Sequence, residues 1–316
     1  MKIRMSRSLE KVIKSLSKSE LAASTVIAAV LLLSILFTIF AVVRIAYVPE
    51  WKTDAEQSHM SEVQRDMTGL KSTVDMIIFL TATNTSYSAR PPLTVPFSMG
   101  GGEISILEPS KSSGTLSINT RSYKMTIIPT VGNETSINSN IITYHSNNRQ
   151  YVDQVFRYEN GAVILVQDDR SLMTQFPTLI SINQISGHNY TVLIQAINLS
   201  GNSDSISSET YTYLRLTGSQ PNDIDLGNIN SFDCIISTKY PDAWKSYFKE
   251  NLNEISKEAG LKYGTDFILD PKDYSDKVHL KFLAGNKNQN HYRLSIREYV
   301  ITAEIGARNS FNQYKL

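Results

Sequence analysis

Apolar and polar positions along the chain follow three successive patterns. Residues 21–43 form an uninterrupted stretch of uncharged, mostly apolar side chains. Residues 52–80 place apolar side chains three and four positions apart among charged ones, which is typical of an amphipathic helix. From residue 91 onward, short runs rich in β-branched and aromatic residues are separated by Gly, Asn, Ser and Pro, which predicts strands and turns. We therefore expect an α+β chain: a long N-terminal helix, then a β-rich, sandwich-like domain with one packed helix.

The apolar stretch is long enough to cross a membrane. As a helix it would span roughly 35 Å, slightly more than the hydrocarbon core of a bilayer. A secretory signal peptide has a shorter apolar region followed by small residues at a cleavage site. Here Arg44, Tyr47 and Trp51 follow instead, and cations and aromatic rings of this kind favour the membrane interface. The pattern predicts a retained transmembrane helix over residues 21–48.

Charges around this stretch predict its orientation. The residues before it carry Lys2, Arg4, Arg7, Lys11, Lys14 and Lys18 against Glu10 and Glu20. Basic segments stay on the cytoplasmic side of a membrane. Residues 1–20 are thus expected to be a cytoplasmic head or leader, and the protein a single-pass protein of the cell membrane with its C-terminal domain outside.

The amphipathic segment, residues 49–82, is predicted to be a stalk helix. Pro49 is expected to end or kink the membrane helix before it. Charged residues, among them Glu56 and Asp66, are assigned to the faces of the helix away from its apolar stripe. The apolar stripe consists of Met60, Val63, Met67, Leu70, Val74 and Ile77. Two interpretations stay open: the stripe packs on the chain's own β-rich domain, or it forms a contact between subunits.

Within the domain, residues 91–316, local signals are clearest at three places. Asn160-Gly161 lies between two β-rich runs in "VFRYENGAVILVQ" and predicts a type I′ hairpin. "EISIL", residues 103–107, is expected to be a strand. A helix is predicted at about residues 242–259, with Asp242 as N-cap and Gly260 as its end.

Composition and motifs argue against several classes of function. The formal net charge is +1, without the basic clusters of a nucleic-acid-binding surface. Cys234 is the single cysteine, which excludes an intramolecular disulfide and a zinc site built on several cysteines. The sequence lacks the common metalloprotease, hydrolase, P-loop and dinucleotide motifs. We expect no enzymatic activity and no cofactor.

Two weaker patterns concern ligands and modification. Asp223 and Asp225 have a faint likeness to the spacing of calcium loops, but the later ligands are missing, so no metal site is expected. Sequons for N-glycosylation begin at Asn84, Asn133, Asn189 and Asn198. They become usable if the domain lies outside the membrane.

Four features together resemble a known family. A basic head precedes "AASTVIAAVLLL", an amphipathic helix follows, the β-rich part contains "YENGAVILVQ", and the later helix opens with "YPDAW". The chain resembles an archaeal family of membrane-anchored surface proteins with a type IV pilin-like N-terminus, which is largely uncharacterised. The resemblance implies an architecture more than a biochemistry.

Pilin-like precursors lose a basic leader just before the apolar run. The resemblance places the candidate cut at Lys18, Ser19 and Glu20, after Ser19; alternatively "AASTVI" aligns with the processed start. It implies a non-enzymatic surface protein whose partners are the lipid bilayer and other pilin-like subunits, as in a minor subunit of an adhesion or secretion-type filament. The alternative is a membrane-anchored ligand-binding or sensor module. Neither involves nucleic acid.

Overall fold

A computed structural model describes residues 24–83, 91–105, 107–270, 272, 275–285 and 289–306. Within these ranges a long N-terminal helix is followed by a β-rich domain of two curled sheets and a short helical segment. The predicted α+β class is confirmed. The candidate cleavage residues Lys18, Ser19 and Glu20, and the sequon residue Asn84, lie outside the described residues.

Helix α1, Ser24–Thr83, continues through the position where an end or a kink was expected. It contains a π-helical turn at Val43–Tyr47, closed by a hydrogen bond from the Val48 amide to the Val43 carbonyl. Pro49 follows directly. Proline offers no amide proton and its ring crowds the carbonyl one turn earlier. Because a π turn changes the hydrogen-bond pairing just before the proline, we attribute the helix's continuity to this wide turn. The expectation that the helix ends at Pro49 is therefore wrong.

The strands run through the whole domain. In chain order, the first are β1 (Leu93–Ser98), β2 (Ser113–Pro129), β3 (Thr135–Asn147), β4 (Gln154–Glu159), β5 (Ala162–Gln167), β6 (Arg170–Gln175), β7 (Ile180–Ser186) and β8 (Asn189–Ser200). The others are β9 (Asp204–Ser208), β10 (Tyr211–Gly218), β11 (Asn222–Ile229), β12 (Phe232–Ser237), β13 (Phe267–Leu269), β14 (Lys277–Phe282) and β15 (His291–Gly306).

The strands form two sheets among the described residues. The six-stranded sheet has the order β1-β10-β15-β8-β7, with β11 pairing a second part of β15. The nine-stranded sheet has the order β13-β14-β12-β2-β3-β4-β5-β6, with β9 beside β2. Pairing is antiparallel except between β15 and β8, which run parallel over twelve residue pairs from His291↔Asn189 to Thr302↔Ser200. The two sheets contribute side chains to the same hydrophobic cores.

One predicted hairpin turn is confirmed, and one predicted strand is wrong. Asn160 and Gly161 connect β4 and β5 with φ values of 46° and 83°, the positive values that a type I′ turn needs, so that prediction is confirmed. The expected strand at residues 103–107 is wrong. Ile104 and Glu108 form only an isolated bridge with each other, because the chain folds back at once and is held there by side chains of α1.

Two cores fill the domain. The helix core lies between α1 and strands of both sheets and includes Phe97, Tyr158 and Leu216. The tryptophan core surrounds the fully buried Trp244 and includes Cys234.

The C-terminal helical segment covers one side of the tryptophan core. It consists of α2 (Pro241–Tyr247), a π-helical turn (Phe248–Leu252) and α3 (Asn253–Glu258). Its position matches the predicted helix, but the N-cap is Tyr240 with Pro241 in the first turn. The expectation that Asp242 is the N-cap is therefore wrong, because Pro241, which needs no amide partner, already begins the helix.

Candidate functional site

Helix α1 has two parts with opposite surroundings. From Ser24 to Val42 every side chain is exposed, including Ile35 at 60% and Phe37 at 64%. Val48, at 6%, is the first buried side chain of the described helix. The exposed part is apolar and about 30 Å long, enough to cross a bilayer. The remainder, residues 48–83, lies against the domain; we call it the docked segment.

Apolar packing of the docked segment uses the stripe predicted from the sequence. Met60, Val63, Met67, Leu70, Val74 and Ile77 are between 0% and 6% exposed and belong to the helix core. The docked segment lies mainly against β1, β10, β4 and β5. In the monomer these side chains are enclosed by the chain's own domain, which leaves none of the six free for a contact between subunits.

Glu56 attaches the docked segment to the domain close to the exposed apolar part of α1. Its carboxylate is 0% exposed and accepts backbone N–H groups of Arg149, Gln150 and Tyr151, with the closest distances at 3.0, 2.8 and 2.8 Å. These consecutive amides form a concave anion-binding turn between β3 and β4. The expectation that Glu56 lies on a face away from the stripe is wrong, because position 56 lies one turn before Met60 on the buried side of the helix.

Two basic residues of α1 hold the loop between β1 and β2. Lys52 Nζ donates to the Ser110 carbonyl at 3.2 Å and lies 3.8 Å from the Glu108 carboxylate. Arg44 donates to the Leu107 carbonyl and is also 3.8 Å from Glu108. The loop is thus tied to α1 just beyond the exposed apolar part.

Further along α1, the polar side chain of His59 also contacts the domain. His59 Nε2 lies 3.2 Å from the Tyr144 hydroxyl, which donates to the Met99 carbonyl at 3.1 Å. Burial lowers the pKa of His59, against the opposing effect of Glu62. The neutral imidazole is therefore the form that suits the docked helix.

Asp66 and two glycines also face the domain. Asp66 accepts the Ser98 amide at 2.7 Å, and burial raises its pKa. Asp66, like Glu56, thus contacts the domain from a helix position that the sequence pattern placed away from the stripe. The run "MGGGE" crosses α1 closely: a Cβ on Gly101 would lie 2.6 Å from His59, and one on Gly102 would lie 2.4 Å from Glu56. Glycine is needed at both positions because any side chain there would collide with the helix.

Inside the domain, side chains of two motifs that are far apart in the sequence, "YENG" and "YPDAW", form a hydrogen bond. Glu159 of "YENG" is fully buried, and its Oε1 accepts Thr238 Oγ1 and Trp244 Nε1, each at 2.6 Å. Its Oε2 lies 2.7 Å from Arg157 Nε. Asn160 Oδ1 accepts the Ile197 amide at 2.7 Å and so links the hairpin to the other sheet. Because side chains two apart share one face of a strand, the Arg157-Glu159 spacing was a usable signal for this ion pair.

A family model matches residues 110–280, more than half of the 316-residue chain, and carries the description family of unknown function (DUF7289). The chain belongs to the DUF7289 family. No curated protein and no solved structure matches it. The DUF7289 match includes the hairpin at Asn160 and the helix that carries Trp244, and it lies outside α1. Family membership therefore concerns the β-rich domain and leaves the role of α1 to physical argument.

Within the DUF7289 domain, the aspartates with calcium-loop spacing have ionic partners of another kind. Asp223 and Asp225 lie on β11 beside β15, where Asp223 receives two hydrogen bonds from Arg297, at 2.6 and 3.0 Å, and Asp225 lies 3.8 Å from Arg293. The Arg297 contact lowers the pKa of Asp223. No group of three or more potential metal-ligating side chains occurs among the described residues.

The three described sequons differ in access. Asn133 is exposed in the turn between β2 and β3, and Asn189 is exposed at the beginning of β8. Asn198 lies within β8 beside β15 and donates from Nδ2 to Glu298 at 2.8 Å. That amide is the group a glycan would occupy, so Asn198 is the poorest acceptor of the three.

Proposed function

We propose that this DUF7289 protein is a non-enzymatic, pilin-like cell-surface protein, anchored in the membrane by the exposed part of α1 with its domain outside. The observation that carries the proposal is the division of one uninterrupted helix into an exposed apolar part and a docked segment. A helix of this kind transmits the position of the membrane anchor rigidly to the domain.

The main competing explanation for an apolar N-terminal helix is a removable signal sequence, which has a similar composition. Continuity of the helix favours an anchor. Cleavage after residue 43 would leave Val48 to Thr83 as a buried helix without the turns that precede it. A cut one residue later would also remove Arg44, which lies 3.8 Å from Glu108 of the domain.

Pilin-like assembly is the narrower part of the proposal. It is supported by the basic residues before the apolar stretch and by the exposure of that stretch, which other apolar helices could cover within a membrane or a filament. The six-residue stripe is not the surface for such contacts, because the domain already covers it. Subunit contacts would instead use residues 24–42, among them Leu31 and Phe37.

The proposal can be tested on intact cells that express the full chain. Protease added outside should digest the domain while the membrane-embedded part survives, and the protein should resist alkaline extraction from membranes. Sheared surface material should contain the chain if it enters a filament. A domain that is protected in intact cells and digested only after lysis would overturn the proposed orientation; recovery in alkaline extracts would overturn the anchor.

A second candidate function is a membrane-anchored ligand-binding module. It is favoured by a cleft of about 410 Å³ on the nine-stranded sheet. Binding of a soluble ligand by this cleft in the isolated full-length protein would support it, independently of filament formation.

A further inference from the structure

The cleft on the nine-stranded sheet is lined by polar and basic side chains. Strands β2, β3 and β4 form its floor, and the segment between β12 and α2 forms one wall. The lining residues used below are Ser117, Thr143, His145, Arg157, Lys239 and Tyr240. None of the residues that line it is acidic.

Arg157 is held in one place at the floor of this cleft. Its side chain is only 3% exposed, its Nε lies 2.7 Å from Glu159 Oε2, and its guanidinium carbon lies 5.3 Å from the centre of the Tyr240 ring. Glu159 is itself fixed by Thr238 and Trp244. The orientation of the guanidinium is therefore set before any ligand arrives.

The side chain of Arg157 lines the cleft. Its buried Nε lies 2.7 Å from Glu159 Oε2 but has no hydrogen bond of good geometry among the described residues. A guanidinium presents parallel N–H donors whose spacing matches the two oxygens of a carboxylate. Buried donors without a protein partner are usually satisfied by water or by a ligand.

Lys239 supplies the positive charge of the cleft, since the charge of Arg157 is compensated by Glu159. It is exposed at the rim and has no ion-pair partner among the described residues, and its Nζ lies 5.7 Å from the Tyr240 ring. His145 is exposed on β3, and the hydroxyls of Ser117 and Thr143 add neutral hydrogen-bonding groups.

We propose that this cleft binds the carboxylate of a small polar molecule, such as an acidic sugar. Arg157 would take the carboxylate, Lys239 would attract it, and the hydroxyls would contact the neutral part of the ligand. The volume of the cleft, about 410 Å³, is within the usual range for small-molecule sites. This inference gives the second candidate function, the ligand-binding module, its ligand class; anchoring by α1 does not depend on it and can succeed or fail separately.

The test uses the full chain in detergent with glucuronate as the ligand, glucose as its neutral counterpart, and binding measured by ligand-observed NMR titration. We expect glucuronate to bind at least about tenfold more tightly than glucose, as expected for a charge-assisted bidentate contact. Glucose 6-phosphate distinguishes the two oxyanions: tighter binding of the phosphate than of glucuronate would overturn the carboxylate assignment.

Two variants and one control locate the site. Lys239→Gln should weaken glucuronate binding by about fivefold or more. The double variant Arg157→Met/Glu159→Gln removes the buried ion pair as a unit, which often leaves stability little changed, and should reduce glucuronate binding to the level of glucose. Lys124→Gln, an exposed change on β2 outside the cleft, should have no effect. Equal binding of glucuronate and glucose, or unchanged binding in Lys239→Gln, would overturn the proposal even if the double variant failed to fold.

Discussion

Glu56→Ala is the substitution that tests most sharply how α1 is attached to the domain. In the native chain, three consecutive amides, from Arg149 to Tyr151, donate to one buried carboxylate at the N-terminal end of the docked segment. Alanine removes the acceptor and leaves the rest of the helix unchanged, because alanine is the best helix former.

The expected loss follows from the nature of these hydrogen bonds. A hydrogen bond to a charged group contributes about 1.5–3 kcal/mol, and a buried donor left unpaired costs about 1–3 kcal/mol. Arg149 and Gln150 are exposed, so their amides can turn toward water after the substitution, whereas Tyr151 is half-buried. We therefore expect a decrease in the free energy of unfolding of about 3 kcal/mol, well below the sum of three separate contributions.

Urea unfolding of the full chain in detergent measures this loss. Trp51 is 43% exposed, so a Trp51→Phe background leaves the fully buried Trp244 as the fluorescent reporter. Glu50→Ala is the matched control: it removes an exposed carboxylate from the same helix and should change stability by less than about 0.5 kcal/mol. Hydrogen exchange should accelerate at residues 149–151 in the Glu56 variant and stay unchanged in the control.

A particular result would refute the reasoning. If Glu56→Ala and Glu50→Ala had the same unfolding midpoint, and exchange at residues 149–151 were equal in both, the carboxylate would not hold the turn. The docked segment would then be attached by its apolar stripe alone.

Three further predictions concern the sequons, the tryptophan core and His59. In a host that glycosylates the secreted domain, Asn133→Gln should remove the mass of one glycan and Asn198→Gln should leave the attached glycan mass unchanged, as read by intact mass spectrometry. Trp244→Phe removes a donor from Glu159 and leaves a gap, so the free energy of unfolding should fall by about 2–4 kcal/mol in urea titrations. Since the folded-state pKa of His59 is lowered, its contribution is complete above the unfolded value of 6.5 and is lost as pH falls below it; stability measured between pH 7 and 5 should decline less steeply in His59→Gln.

Periodic features of the sequence predicted the local structure well. Spacing by three and four located the six stripe residues, all of which are buried. Asn160-Gly161 predicted its hairpin because few residues other than glycine and asparagine adopt positive φ easily. In both cases the cause lies within a few residues of the effect.

The remaining features depend on partners far away in the chain. Glu56 was assigned to a face away from the stripe because a charged side chain on a helix is usually exposed. Its partners are backbone amides 93 to 95 residues later in the chain, which no sequence pattern marks. Pro49 was expected to end or kink α1, and the π turn before it could not be derived from proline's preference alone. Asp223 shows the same limit. Its spacing to Asp225 has a faint likeness to a calcium loop, but its partner is Arg297, which lies 74 residues later in the chain.

The central claim is that α1 is retained as an anchor that joins the membrane to the domain. The most direct measurement is N-terminal sequencing and intact mass of the protein purified from membranes of cells that express the full chain. The account predicts a mature protein that begins at Glu20, or at Ala23 within "AASTVI" (residues 22–27), and keeps the apolar helix. A mature protein that begins after Val43 would contradict the anchor, and one that begins at Met1 would contradict pilin-like processing.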